Sequence, residues 1–84
     1  MTAELFNAIA FRFISHASYS DEHISLYEST NFAPIITIKV FVKMSNFDIT
    51  KKRREYYFMG KTYRSQKSLL NAINEYQNKK DNGK

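Results

Sequence analysis

Ile36-Thr37-Ile38-Lys39-Val40-Phe41-Val42-Lys43-Met44-Ser45 is the stretch that decides the fold of this chain. Ile36, Ile38, Val40, Val42 and Met44 alternate with Thr37, Lys39, Phe41, Lys43 and Ser45. A period of two belongs to a β-strand whose successive side chains point to opposite faces, so one face is wholly apolar and the other sets a phenylalanine between two lysines. Pro34 marks the start of this strand. Beyond it, Arg53 to Met59 is rich in Tyr and Phe and stops at Gly60, which reads as a second strand joined to the first through Asn46-Phe47-Asp48. Lys61 to Arg64 adds a short third piece. Ser65 has the character of a helix N-cap, and Leu69, Leu70, Ile73 and Tyr76 then recur at helical spacing up to about Gln77.

Toward the N-terminus the pattern is double. Leu5, Phe6, Ile9, Phe13 and Ile14 fit a helix, while Ile9, Phe11 and Phe13 also fit a strand, and the helix at about 3–15 is the preferred reading. His23 to Ser29 alternates as a strand with Ile24 and Leu26 on one side, reached through the turn-rich Ser18 to Glu22. The expected architecture is α+β: an antiparallel sheet of three to four strands with a C-terminal helix, and an N-terminal helix, packed on one face. Residues 1–78 form one small domain in this reading, and 79–84 form a disordered basic tail.

Composition narrows the function classes. With 84 residues, the chain is too short for a Rossmann or barrel enzyme, and seven Phe and six Tyr must build most of its core. It has no cysteine, which excludes a disulfide framework or a thiolate zinc site and makes the cytoplasm the expected compartment. The run Leu5 to Ile14 does not read as a signal peptide, because Glu4 stands where a basic region belongs and Asn7 and Arg12 interrupt it. No membrane partner is expected either, since no uncharged apolar segment is long enough to span a bilayer.

The net charge of +5 is segregated along the chain. Residues 1–38 hold one Arg against four acids, a balance of −3, whereas residues 39–84 hold twelve Lys or Arg against four acids, a balance of +8. A basic half of this kind points to an acidic partner, most often a nucleic acid, because clustered cations release counterions from phosphates. Solubility alone needs no segregation of sign. Lys39, Phe41 and Lys43 lie in a row about 7 Å apart on one strand face, where cations can hold successive phosphates and a ring can stack on a base. Lys51-Lys52-Arg53-Arg54, followed by Tyr56, Tyr57 and Phe58, places four charges at the start of an aromatic strand. Edge-strand protection against aggregation is the structural alternative for that run, with Phe41 in a second core layer.

Catalysis finds little support. Ser15, His16, Ser18, Ser20, Asp21, Glu22 and His23 crowd together, but His16 and His23 fall in an expected turn with no third strong ligand at a recurring spacing. Gly60-Lys61-Thr62 resembles the end of a phosphate-binding loop, yet Glu55 stands where that motif requires glycine. No enzyme activity, cofactor or metal is expected.

Residues 35–78 carry a family resemblance. A strand from Ile36 to Lys43, a second basic strand, the Gly-Lys-Thr-Tyr-Arg stretch at 60–64 and Ser65-Gln66-Lys67-Ser68-Leu69-Leu70-Asn71-Ala72-Ile73 together resemble the arm-type DNA-binding domain of phage tyrosine integrases. That resemblance implies a three-stranded sheet backed by one helix, with Lys39, Phe41, Lys43, Arg54, Tyr56 and Arg64 facing nucleic acid. Lys51, Lys52, Arg53 and Lys61 join them as expected contacts. In composition the whole chain is similar to the small early proteins of lytic tailed phages, some of which inhibit host defence, including antitoxins against RNA-cleaving toxins. The expected function is therefore nucleic-acid binding, RNA before DNA, by a monomer or homodimer in the host cytoplasm, with a host nuclease toxin as a further partner. A protein-binding inhibitor that needs no nucleic acid, and a DNA-binding regulatory domain, remain the alternatives.

Overall fold

The alternation in Ile36–Ser45 is realised as the central strand of a five-stranded sheet. The computed structural model describes residues 2–46 and 48–82. In chain order its elements are α1 (Ala3–Asn7), β1 (Phe11–Tyr19), β2 (Glu22–Ser29), β3 (Ile36–Ser45), β4 (Asp48–Phe58), β5 (Lys61–Tyr63) and α2 (Gln66–Asn82). The strands pair antiparallel in sequence order, so every connection joins neighbours. Ser20 between β1 and β2, and Met59 and Gly60 between β4 and β5, have positive φ, as tight hairpin loops that follow the sheet's twist require. Phe47, within the expected Asn46-Phe47-Asp48 connection, lies outside the described residues.

The class is α+β as the pattern implies, but with five strands rather than three or four. The additional strand comes from the region read as a helix over 3–15. There the helix is only α1, and Phe11–Tyr19 is β1. Thr2 caps α1 by accepting from the Leu5 amide at 3.2 Å. The turn after it is closed by the side chain of Asn31, which accepts from the Ala10 amide at 2.8 Å and donates to the Ala8 carbonyl at 3.3 Å. Those backbone groups are the ones a longer helix would pair internally. A ladder along the whole of β2 satisfies the rest of the segment, and the period-two set Ile9, Phe11 and Phe13 prevails over the helical one.

Ile36, Ile38, Tyr56, Phe58, Leu69, Ile73 and Phe6 make the buried core on one face of the sheet. Leu69 and Ile73 are fully buried one turn apart on α2, and Tyr76 continues the stripe edge-on to Phe58. Ser65 caps the helix, its hydroxyl accepting from the Ser68 amide at 3.2 Å. The helix then runs through Asn82. Lys79 to Asn82, expected in a disordered tail, are helical; Gly83 and Lys84 lie outside the described residues.

The core occupies only one end of the long strands. The molecule extends 55 × 23 × 21 Å with a radius of gyration of 14.9 Å, against about 12 Å for a compact chain of this length. Beyond Ile38 and Tyr56 the hairpins continue as an extended sheet, and this uncovered part carries Lys39, Lys43 and the run Lys51 to Arg54.

Candidate nucleic-acid interface

Cross-strand register decides which charges meet. On the open face, away from the helices, Lys39 stands opposite Glu55, Phe41 opposite Arg53 and Lys43 opposite Lys51. Ile24 faces Phe41 from β2 on the other side, with Leu26 opposite Lys39 and Glu22 opposite Lys43. Five of the expected contacts, Lys39, Phe41, Lys43, Lys51 and Arg53, thus form one cluster. Glu22, Phe41, Lys43, Lys51 and Arg53 line a shallow concavity of about 180 Å³.

Phe41 is not an exposed ring. It retains 9% of its accessible surface. The Arg53 guanidinium carbon sits 3.8 Å from its ring centroid, and the Lys39 ammonium 5.3 Å. The neighbouring strands raise Ile24 and Arg53 on both sides of the ring, and the cations gain from its π-face. The expected bare aromatic platform is corrected to an arginine lying on a buried phenylalanine.

Glu55 orders this surface. Arg53 donates to it at 3.2 Å and the Tyr57 hydroxyl at 2.9 Å. Burial, together with the hydrogen bond to Glu55, pushes the Tyr57 phenol above its ordinary range, so Tyr57 stays a neutral donor at neutral pH. The Arg53 side chain nevertheless keeps 61% of its surface exposed, leaving its outer side accessible. Lys43 approaches Asp21 at 3.8 Å with both side chains half exposed, a pairing worth little in water. Lys43 and Lys51 face each other directly, a like-charge arrangement that Asp21 and Glu22, both beside Lys43, offset on one side only.

The remaining expected contacts are divided among other surfaces. Lys52 and Arg54 point to the helix face, opposite Val42 and Val40, because they alternate with Lys51 and Arg53. With Phe11, Tyr27, Ile38 and Val40 they line a groove of about 260 Å³. Among the described residues no strand carboxylate shares that face, since the register puts Glu22, Glu28, Asp48 and Glu55 on the open one. Tyr56, expected to face nucleic acid, is 5% exposed and belongs to the core, whereas Arg54 is exposed on the face opposite to that of Lys39, Phe41 and Lys43. Lys61 lines a cavity with Tyr63 and Tyr76 beside α2, and Arg64 is exposed after β5.

The histidines, expected in a turn, lie on paired strands. His16 on β1 and His23 on β2 stack with ring centroids 5.5 Å apart and planes at 25°. The Ser18 hydroxyl bonds to both, at 3.1 Å and 3.0 Å, and Ser25 bonds to the other nitrogen of His16 at 3.1 Å. Both ring nitrogens of His16 and Nδ1 of His23 thus have partners within the network. Among the described residues no group of three or more His, Cys, Asp or Glu is placed to hold a metal ion, and no helix is long and apolar enough to cross a membrane.

Glu22, Glu55 and Tyr57 are the site residues that sequence reasoning missed. Glu55 carried a legible signal, the one acid inside the run Lys51 to Phe58, whereas Glu22 joins the site only through the β2–β3 register. Compared with known proteins, the chain matches no family model, no curated protein and no solved structure.

Proposed function

We propose that this protein binds nucleic acid without catalysis, with RNA as its preferred ligand, through the open face around Phe41. The observation that carries the reading is the direct opposition of Lys43 and Lys51 across β3 and β4, beside Arg53. A phosphate seated between the two ammonium groups converts a repulsion in the free protein into an attraction in the complex. Arg53, held over Phe41 with its outer side open, supplies a flat cation on which an unpaired base can stack. Unstacked bases of single-stranded RNA meet that requirement, and a closed duplex does not.

The resemblance to small phage proteins extends the proposal to inhibition of a host RNA-cleaving toxin. Glu22 and Glu28 on β2 then offer an acidic flank to a basic protein partner. An inhibitor that acts on such a protein without RNA is the second reading, favoured by those same carboxylates lying on the open face beside the cations.

Fluorescence anisotropy with a mixed-sequence single-stranded RNA, titrated from low to physiological salt, tests the proposal. Each phosphate neutralised by this face is expected to add about −0.7 to the log–log slope. Arg53→Ala is expected to weaken binding by about 1–3 kcal/mol, the worth of a stacked base. Affinity that is flat with salt, or unchanged in Arg53→Ala, refutes RNA binding through this face.

A further inference from the structure

We infer that β1 is an interface through which two copies of this chain pair edge to edge, continuing one sheet across a two-fold axis. The two edges of the sheet are built differently. β5 is three residues long and begins with Lys61, so shortness and charge protect it from pairing with another chain. β1 is nine residues long, contains neither Lys nor Pro, and leaves every second backbone N–H and C=O pointing away from β2.

Its side chains are also those of a covered strand. Phe13 is 57% exposed, Ile14 39% and Tyr19 62%, and Leu5 at 60% sits on the adjoining α1. Four of the seven large hydrophobic residues that stand exposed among the described residues are therefore on α1 and β1. Solvent exposure of this much apolar surface along an open edge is what monomeric proteins avoid.

Charge selects a second copy as the occupant. Arg12 is the only formal charge between Phe11 and Tyr19, and it stands opposite Glu28 within its own sheet. A partner of strongly acidic or basic character finds nothing on β1 to recognise, whereas a neutral strand pairs with itself without repulsion. Antiparallel pairing about an axis near Ser15 keeps the two Arg12 side chains about 20 Å apart along the strands. The bulge between Phe13 and Ser15 divides the ladder and adds twist, which works against pairing at that point, and the neutral segments on either side of it carry the contact. The basic surfaces of β3 and β4 lie two and three strands from this edge, so pairing leaves them free. The inference accordingly stands independently of the nucleic-acid reading.

Sedimentation velocity on the full chain, from low micromolar to sub-millimolar concentration and without nucleic acid, tests it. The expected result is a concentration-dependent rise from the 9.9 kDa monomer to twice that mass. Phe13→Lys and Tyr19→Lys are each expected to raise the dimer dissociation constant by at least about tenfold, with far-UV circular dichroism unchanged. Phe13 also stands edge-on to Tyr27, so Tyr19→Lys at the strand end decides the matter if Phe13→Lys does not fold. Amide exchange in β1 should slow as concentration rises, more than in β5. A monomer at every concentration overturns the inference, and so does a dimer that both folded variants leave intact.

Discussion

Truncating Phe41 to alanine separates two roles that the strand pattern alone cannot distinguish. If the ring were a bare stacking surface, its loss would weaken RNA binding and leave the melting temperature in place. The structure predicts the opposite order of effects. Phe41 is 9% exposed, with Ile24 opposite it on one side and Arg53 over its face. Removing a buried phenylalanine costs about 3–5 kcal/mol. The lower end applies because the stems of Lys39 and Arg53 can fold inward over an open sheet face and partly fill the gap. Global stability for this length is about 4–13 kcal/mol, so a loss of about 3 kcal/mol is a large fraction of it. It corresponds to a fall of about 12–24 °C in Tm. Phe41→Leu keeps most of the burial and removes the cation–π contact, and should cost about 1 kcal/mol. Thermal melts with circular dichroism, paired with RNA anisotropy below each variant's transition, read both quantities. A Phe41→Ala protein that melts within a few degrees of wild type and loses RNA binding refutes the reasoning, because it would mean that the ring meets the ligand directly.

Ile73 is fully buried on α2, so Ile73→Ala should cost about 2–5 kcal/mol in a denaturant melt, while Lys67→Ala on the exposed side should stay within about 0.5 kcal/mol. Lys51→Ala should leave the free protein as stable as wild type or slightly more stable at low salt, by relieving the repulsion with Lys43, and should flatten the RNA salt slope by about 0.7; a clear loss of stability would show that Lys51 is held by favourable contacts instead. Replacing His16 and His23 together with Gln should leave RNA affinity within a few-fold of wild type, because the pair lies on the opposite face of the sheet from Phe41 and is bonded to Ser18 and Ser25; loss of affinity in a folded double variant, measured by anisotropy, would assign the pair to the binding surface.

Local pattern determined the parts of this protein in which one periodicity stands alone. Ile36 to Ser45 alternates without a competing helical set, and β3 has those bounds. Ser65 with Leu69, Ile73 and Tyr76 forms a capped amphipathic helix because capping and the apolar stripe agree within a few residues of chain. Segregation of the basic residues into the second half is likewise a property of the chain itself.

Whatever depends on register between distant segments was decided by the tertiary structure. Leu5 to Ile14 supports two periods, and only the ladder with β2 and the Asn31 side chain from the loop after β2 divide it into a short helix and a strand. Alternation correctly separates Phe41 from Val40 and Val42, but exposure depends on what the adjacent strands raise beside the ring, and Ile24 and Arg53 lie 17 and 12 residues away in sequence. The run Lys51 to Arg54 reads as one cluster along the chain and becomes two surfaces in the sheet, since successive side chains of a strand point to opposite faces. His16 and His23, seven residues apart in the chain, become stacked neighbours by the same pairing rule. Sequence proximity sets the strands and their alternation, whereas contact across a sheet is set by pairing register and strand order: register brings Lys43, Lys51 and Arg53 together beside Phe41, and strand order leaves the outer edge of β1 unpaired.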